Sequence, residues 1–210
     1  MITSQQMKEL EEFSEAQGIT SLELMENAGR EFAVVIRETC EGEEWKVIIF
    51  AGCGNNGGDS FVAARYLSEH FPVTVLLFGE KKKMPAEAKK NFLLLDKPIT
   101  IFEIRTNGEL EKFHIQKDSH LIMIDALLGT GIKGNIREPL ASAINLFNNT
   151  PGVKFAVDIP SGLNPDTGEL AEKHCQVDHI ITFHDLKIGL SKWKNITTIV
   201  DIGIPIEKQC

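Results

Sequence analysis

The sequence predicts an α/β fold: a doubly wound, mostly parallel sheet flanked by helices, with two extra helices at the N-terminus. Three observations predict it. From Trp45 onward, short apolar runs alternate with amphipathic stretches, as strands joined by helical crossovers do. The runs lack strict two-residue alternation, which suits strands covered on both faces. The first run ends in Ala51-Gly52-Cys53-Gly54-Asn55-Asn56-Gly57-Gly58-Asp59, a glycine-rich turn that leads straight into a helical pattern.

The elements follow in order. Thr3 and Gln6 form a capping-box pattern ahead of Met7, Leu10 and Phe13, which share one helical face, and Gly18 ends that helix. Thr20 and Glu23 make a second box, behind which Met25, Ala28, Phe32 and Ile36 line one stripe. Gly29 weakens this helix by about 1 kcal/mol against alanine, so a close contact with a neighbouring element is expected there. Val47 to Phe50 reads as a buried strand, Asp59 to Glu69 as a helix and Val73 to Phe78 as a second strand. Pro85 to Leu95 reads as a helix, and Ile99 to Ile104 and His120 to Asp125 as the third and fourth strands. Pro139 to Phe147 is a helix with its proline in the first turn, where no donor is lost. Val153 to Asp158 is a fifth strand, and Val177 to Phe183 and Thr197 to Ile202 are two more. No repeat, low-complexity tract or linker divides the chain, so residues 1–210 read as a single domain. The one basic run, Lys81-Lys82-Lys83, reads as a solvated loop.

Bulk properties bound the function. Apolar content of 42% and charged content of 25% are those of a globular protein. A formal charge of −8 argues against nucleic acid as a partner. It leaves room for a small anion held by backbone N–H groups. Cys40, Cys53, Cys175 and Cys210 form no C-x-x-C pair and fit no zinc spacing, so free thiols in a reducing compartment are expected. The start lacks a basic segment followed by an apolar one, and no apolar run approaches the roughly 20 residues of a membrane span. A cytoplasmic protein with no membrane partner is the expectation.

Three segments are too rich in glycine and polar residues for structure alone. The first is the turn at 51–59, where seven of nine residues are Gly, Asn or Asp and a plain turn needs about two to four. A helix N-terminus there offers free N–H groups to a phosphate. The second runs from Asp125 through Gly129-Thr130-Gly131-Ile132-Lys133-Gly134-Asn135, after the fourth strand. The third is Asp158-Ile159-Pro160-Ser161-Gly162-Leu163-Asn164, after the fifth. An acid at the end of an apolar strand is desolvated, which raises its pKa and makes it a candidate acid or base. In a doubly wound sheet the loops after strands one, four and five converge at the switch point where ligands bind. The three segments therefore predict one site.

Other candidates carry less. His174, His179 and His184 are five apart, which on a strand turns neighbours to opposite faces and spoils a shared metal site. Ser161 lacks the G-x-S-x-G setting of a hydrolase nucleophile. Lys187 follows the sixth strand, from which it can reach the site, and reads by default as solvated.

Met25-Glu26-Asn27-Ala28-Gly29, Gly54-Asn55-Asn56-Gly57-Gly58-Asp59, Asp125 with Gly129-Thr130-Gly131, Asp158-Ile159-Pro160-Ser161-Gly162 and Asp201-Ile202-Gly203-Ile204-Pro205 occur in this order. Together they resemble the YjeF N-terminal domain family, the NAD(P)H-hydrate epimerases, over nearly the whole chain. The resemblance implies a Rossmann-like fold and an isomerase that interconverts the R and S forms of hydrated NADH and NADPH (NADHX and NADPHX) at C6 of the nicotinamide ring. It implies a homodimer, a potassium ion in the site, and a separate dehydratase that consumes the S form. By motif, Asn55, Asn56, Gly57, Gly58 and Asp59 would contact the substrate, as would Gly129, Thr130, Gly131, Ile132, Lys133, Gly134, Asn135 and Asp158. Asn56, Asp125 and Ser161 would hold potassium through oxygen atoms. Ser60 stands where the family often has glycine, and His184-Asp185-Leu186 precede Lys187 where a proline is frequent.

The chemistry expected of such a site is loss of hydroxide from a carbon bonded to ring nitrogen, followed by return of water to either face, with opening and reclosure of the ring as the alternative route. One carboxylate, Asp158, can act as acid, as base and as counter-charge to the cation between the two steps. Two rivals remain: a non-catalytic nucleotide-binding or scaffold module of the same fold, and a nicotinamide-dependent dehydrogenase. The dehydrogenase would need a substrate domain for which the chain has little room.

Overall fold

A computed structural model describes residues 1–42, 44–96, 98–115, 120–130 and 135–205. Helix α1 (Ser4–Ala16) and helix α2 (Ser21–Thr39) lead, each opened by the expected capping box, at Thr3 with Gln6 and at Thr20 with Glu23. The sheet strands are β1 (Lys46–Ala51), β2 (Val73–Phe78), β3 (Thr100–Ile104), β4 (Leu121–Ala126), β5 (Val153–Val157), β6 (His179–Phe183) and β7 (Thr197–Val200). Helices α3 (Asn55–Ser68), α4 (Ala86–Leu93), α5 (Asn107–Leu110) and α6 (Leu140–Asn149) fill the crossovers. The strand order is β3-β2-β1-β4-β5-β6-β7, and every pairing is parallel. This is the doubly wound, Rossmann-like arrangement, with its switch point between β1 and β4. The sheet is wholly parallel, where a mostly parallel one was expected.

Both faces are covered, which explains the unbroken apolar strands. Val47, Ile49, Val75, Leu77, Ile122 and Ile124 pack beneath the helices that include α2 and α3. Ile48, Phe50, Leu76 and Met123 pack with Ala143, Ile144 and Phe147 of α6 on the other face. Among the described residues no helix is long and apolar enough to cross a membrane.

The stripe on α2 is buried as expected, at Met25, Ala28, Phe32 and Ile36. Gly29 is where α2 crosses α3: a Cβ there would lie 2.4 Å from the Val62 Cβ and 2.5 Å from the Asp59 carbonyl oxygen. Its neighbours complete the clamp. Glu26 accepts from Arg65 at 2.5 Å and from the Tyr66 hydroxyl at 2.8 Å, and the Asn27 amide donates to the Ile202 carbonyl beyond β7 at 2.9 Å. The Met25-to-Gly29 motif thus fixes α3 against α2, and α3 carries the glycine-rich turn.

Several elements differ from expectation, among them the short helix α5, where none was expected. Helix α3 begins at Asn55, not Asp59, so Asn55 to Gly58 are its first turn instead of a loop. Glycine propensity argues against a helix there, and packing on α2 and on the ends of β1 and β4 overrides it. Residues Ile188–Ile196 form 3-10 turns where no element was expected. The basic run Lys81–Lys83 is a single 3-10 turn whose exposed lysines pair with Glu80 and Glu103. Cys40 and Cys175 are buried and Cys53 is half-buried; Cys210 lies outside the described residues.

Candidate active site

The carboxyl ends of β1, β4 and β5 are bound to one another by side chains that are distant in sequence. The Asn56 amide donates to the Leu128 carbonyl at 3.3 Å, joining the first segment to the second. The Ser161 hydroxyl accepts from the Leu128 amide at 2.9 Å, and the Ser161 amide donates to Asp125 Oδ2 at 2.7 Å. Ser161 Oγ also donates to Asp125 Oδ1 at 2.5 Å, joining the second segment to the third. Asp125 and Ser161 are fully buried, and Asn56 is 8% exposed.

Above this junction opens a cleft of about 1080 Å³. Asn55, Asn56, Asp59, Gly129, Thr130 and Asp158 line it, as the sequence predicts for a single site. Gly57 and Gly58 are buried in the first turn of α3 and do not reach it. Asn135 is exposed and is not part of the lining. Gly131, Ile132, Lys133 and Gly134 lie outside the described residues. The first intrahelical bond shown for the α3 start is Gly58 N–H to the Gly54 carbonyl at 3.0 Å. The amides ahead of it therefore stay available at the positive end of the helix dipole, on the cleft wall.

Asp158 ends β5 in the left-handed region, with φ of 63°. Aspartate tolerates this better than most residues, at about 1–3 kcal/mol. Its amide donates to the Ile181 carbonyl at 2.9 Å, which draws the carboxylate beneath the end of β6. There Oδ1 accepts from Thr182 Oγ1 at 2.9 Å, from the Phe183 amide at 3.2 Å and from Lys187 Nζ at 2.5 Å. Oδ2 accepts no hydrogen bond among the described residues.

Lys187 corrects the sequence reading. It is wholly buried, and Nζ donates to Asp158 and to the Phe183 carbonyl at 2.8 Å. The signal missed is its spacing from Phe183: four residues return the chain to the end of β6. A bridge between Ile2 and Lys187 then pins that return.

The N-terminal helices also reach the site, which sequence reasoning did not foresee. Met7, Lys8 and Glu11 of α1 and Leu24, Met25 and Ala28 of α2 line the cleft. Burial holds the Glu11 carboxyl above the usual range; Asp158 pushes the same way and Lys187 opposes. Burial holds Asp59 well above the usual aspartate range, followed by the charges of Asp158 and Glu11, again against Lys187. Beneath the floor, burial also raises Asp125, although Ser161, Leu127 and the Cys175 thiol donate to it. Asp125 in turn helps to push the buried Cys175 thiol well up, after burial itself. His179, half-buried, stacks on Phe155 with ring centroids 4.9 Å apart.

Fold and cleft together define a doubly wound α/β protein with a ligand site at its switch point. The family described as YjeF-related protein N-terminus matches residues 21–189. The chain belongs to that family. A protein of Cenarchaeum symbiosum named NAD(P)H-hydrate epimerase is 41% identical, over 99% of this chain and 97% of its own. One of the same name from Nitrosopumilus maritimus is 40% identical with the same coverage. A bifunctional NAD(P)H-hydrate repair enzyme Nnr of Archaeoglobus fulgidus is 40% identical over 97% of this chain, which spans 42% of that protein. The crystal structure of the yeast protein YNL200c shares the fold, with a TM-score of 0.78 over 96% of this chain and 87% of its own, at 22% identity.

Proposed function

We propose that this chain is an epimerase that interconverts the R and S forms of NADHX and NADPHX at C6 of the nicotinamide ring. The observation that carries the reading is Asp158. One of its oxygens is fully occupied by Thr182, Phe183 and Lys187, the other is unengaged, and it shares a cleft with the amides of the α3 first turn. The phosphates of a dinucleotide suit those amides, and the hydrated ring then lies by Asp158. Asn55, Asn56, Asp59, Gly129 and Thr130, which line the cleft, are the residues assigned to the nucleotide. The names of the two relatives matched over nearly their full length support the same activity.

Loss of the C6 hydroxyl, pushed by the ring nitrogen lone pair, leaves a cation that the Asp158 carboxylate stabilises. Water returning to the opposite face gives the other epimer. The Asn replacement keeps the shape and removes the charge. With Asp158→Asn, R-to-S conversion followed by NMR or chromatography is expected to vanish while substrate still binds. Unchanged turnover would refute the assignment, and a wild-type chain without conversion would favour the non-catalytic module.

Potassium belongs to this reading. Asn56 Oδ1, the Leu128 carbonyl, Ser161 Oγ and the Asp125 carboxylate are all oxygen donors at one junction, the chemistry of a hard cation site. Asp125 is buried and pairs with no cation among the described residues. Asn56, Asp125 and Ser161 would hold the ion, which supplies fixed positive charge under the cleft. Saturation at about 100 times Kd stabilises by about 2.7 kcal/mol, or roughly 5–10 °C in Tm for a chain of this size. That rise is expected in potassium relative to tetramethylammonium, and Asp125→Asn is expected to lose it. Equal melting in the two salts would remove potassium from the site. The reading also carries a cytoplasmic homodimer that hands the S epimer to a separate dehydratase. The bifunctional relative, named for the whole repair, supports that coupling.

A further inference from the structure

Asp158 has three donors and a buried ammonium, whereas the Asp59 side chain, on the same cleft, takes part in no hydrogen bond or ion pair among the described residues. The charges that act on Asp59 are those of Asp158 from the end of β5, Glu11 from α1 and Lys187 after β6; Glu87 and Lys8 also line the cleft, and Lys8 pairs with Glu12. Three carboxyl groups thus share one ammonium, and Lys187 is committed to Asp158. Full ionisation would leave two uncompensated negative charges in a partly dry cleft, and a shared site relieves this by keeping a proton on one group. The group without donors is the one that keeps it.

We propose, on the epimerase reading above, that Asp59 is a second catalytic residue: it gives its proton to the departing C6 hydroxyl, and Asp158 takes the proton of the returning water. The C6–O bond breaks as Asp59 protonates the oxygen, water leaves, and the nitrogen lone pair forms the C=N bond of the cation. Water then adds to C6 on the other face, the C=N electrons return to nitrogen, and the released proton passes to the Asp158 carboxylate. Reprotonation of Asp59 and deprotonation of Asp158 through cleft water complete the cycle. An acid beside a carboxylate that an ammonium already engages supplies both partners that acid–base chemistry at one carbon requires. Burial and the neighbouring carboxylates already hold Asp59 well above the aspartate range. The labour assigned to one carboxylate on sequence grounds is in this account divided between two.

The test follows R-to-S conversion of NADHX against pH for the full chain and for Asp59→Asn and Asp59→Glu, with and without ¹⁸O-labelled water. In the wild type, turnover is expected to fall as pH rises through the Asp59 titration, and label to enter C6–OH at the rate of epimerisation. Asp59→Asn is expected to lower kcat by about 10²–10⁴-fold, with little change in KM, and to abolish that alkaline fall. Asp59→Glu is expected to restore part of both.

Stability separates this role from a structural one. A carboxyl whose folded pKa is raised contributes stability at low pH, and loses it as pH rises from the ordinary aspartate range through the folded value. Asparagine has no such loss, so at neutral pH Asp59→Asn is expected to melt at the wild-type temperature or above. A wild-type kcat in Asp59→Asn, an unaltered alkaline limb, or epimerisation without label uptake would overturn the proposal and leave the epimerase reading intact. A wild-type chain that does not interconvert the epimers would overturn both.

Discussion

Replacing Lys187 by Met is expected to cost about 3–5 kcal/mol of stability, because it strips the counter-charge from a buried carboxylate. Lys187 is wholly buried and the Asp158 side chain is 15% exposed, so solvent screens neither well. Thr182 and the Phe183 amide remain as donors, yet neither carries charge. The Phe183 carbonyl also loses the ammonium that bonds it at 2.8 Å. Tm is expected to fall by about 10 °C or more for a chain of this size. Turnover is expected to fall by about 10²-fold through displacement of Asp158, with KM changed less. The double variant Asp158→Asn with Lys187→Met removes both charges and is expected to recover most of the melting temperature but none of the activity. Melting of all three variants at neutral pH checks this, and a wild-type Tm for Lys187→Met would deny the pair any structural weight.

This pair marks a boundary of what the sequence reveals. Strand cores such as Val73 to Phe78, the two capping boxes and the Gly29 crossing are local or periodic, and each was legible. The meeting of the loops after β1, β4 and β5 follows from topology alone once strand order is inferred. Contacts between elements leave no such trace. Nothing in the spacing of Glu11 and Asp158 says that α1 folds over the cleft, and Lys187 resembles any surface lysine until the turn after β6 is built. The short helix α5 was missed although its capping box, Thr106 with Glu109, stands in the sequence. Four residues of helix add little periodicity to find.

Part of the composition of the glycine-rich segment serves packing. A Cβ on Gly57 would sit 2.0 Å from the Gly52 carbonyl oxygen and 2.9 Å from the carbon. A Cβ on Gly52 would in turn sit 2.0 Å from the Leu127 carbonyl oxygen. The α3 start, the end of β1 and the end of β4 are thus stacked backbone on backbone, with no flexible side chain to yield. Alanine at 57 gains about 1 kcal/mol of helix propensity. Against this, overpacking costs about 1–3 kcal/mol and moves backbone, because ordinary contact needs roughly 3.4 Å where 2.0 Å is available. The clash wins. Gly57→Ala is expected to melt lower than wild type and, by shifting Asn55, Asn56 and Asp59 together, to lose about 10²-fold in turnover. Gly54 is the contrast. It lines the cleft, holds an extended backbone at the α3 N-cap and has nothing within 4 Å of an added Cβ. Gly54→Ala is expected to melt about 2–4 °C below wild type, since alanine caps a helix about 1 kcal/mol less well than glycine, without displacing its neighbours. Any loss of substrate affinity in that variant then reports a ligand pressed against the backbone. Calorimetry with turnover on both variants separates the two uses of glycine, and a Gly57→Ala chain that melts at or above the wild-type temperature would contradict the stacking argument.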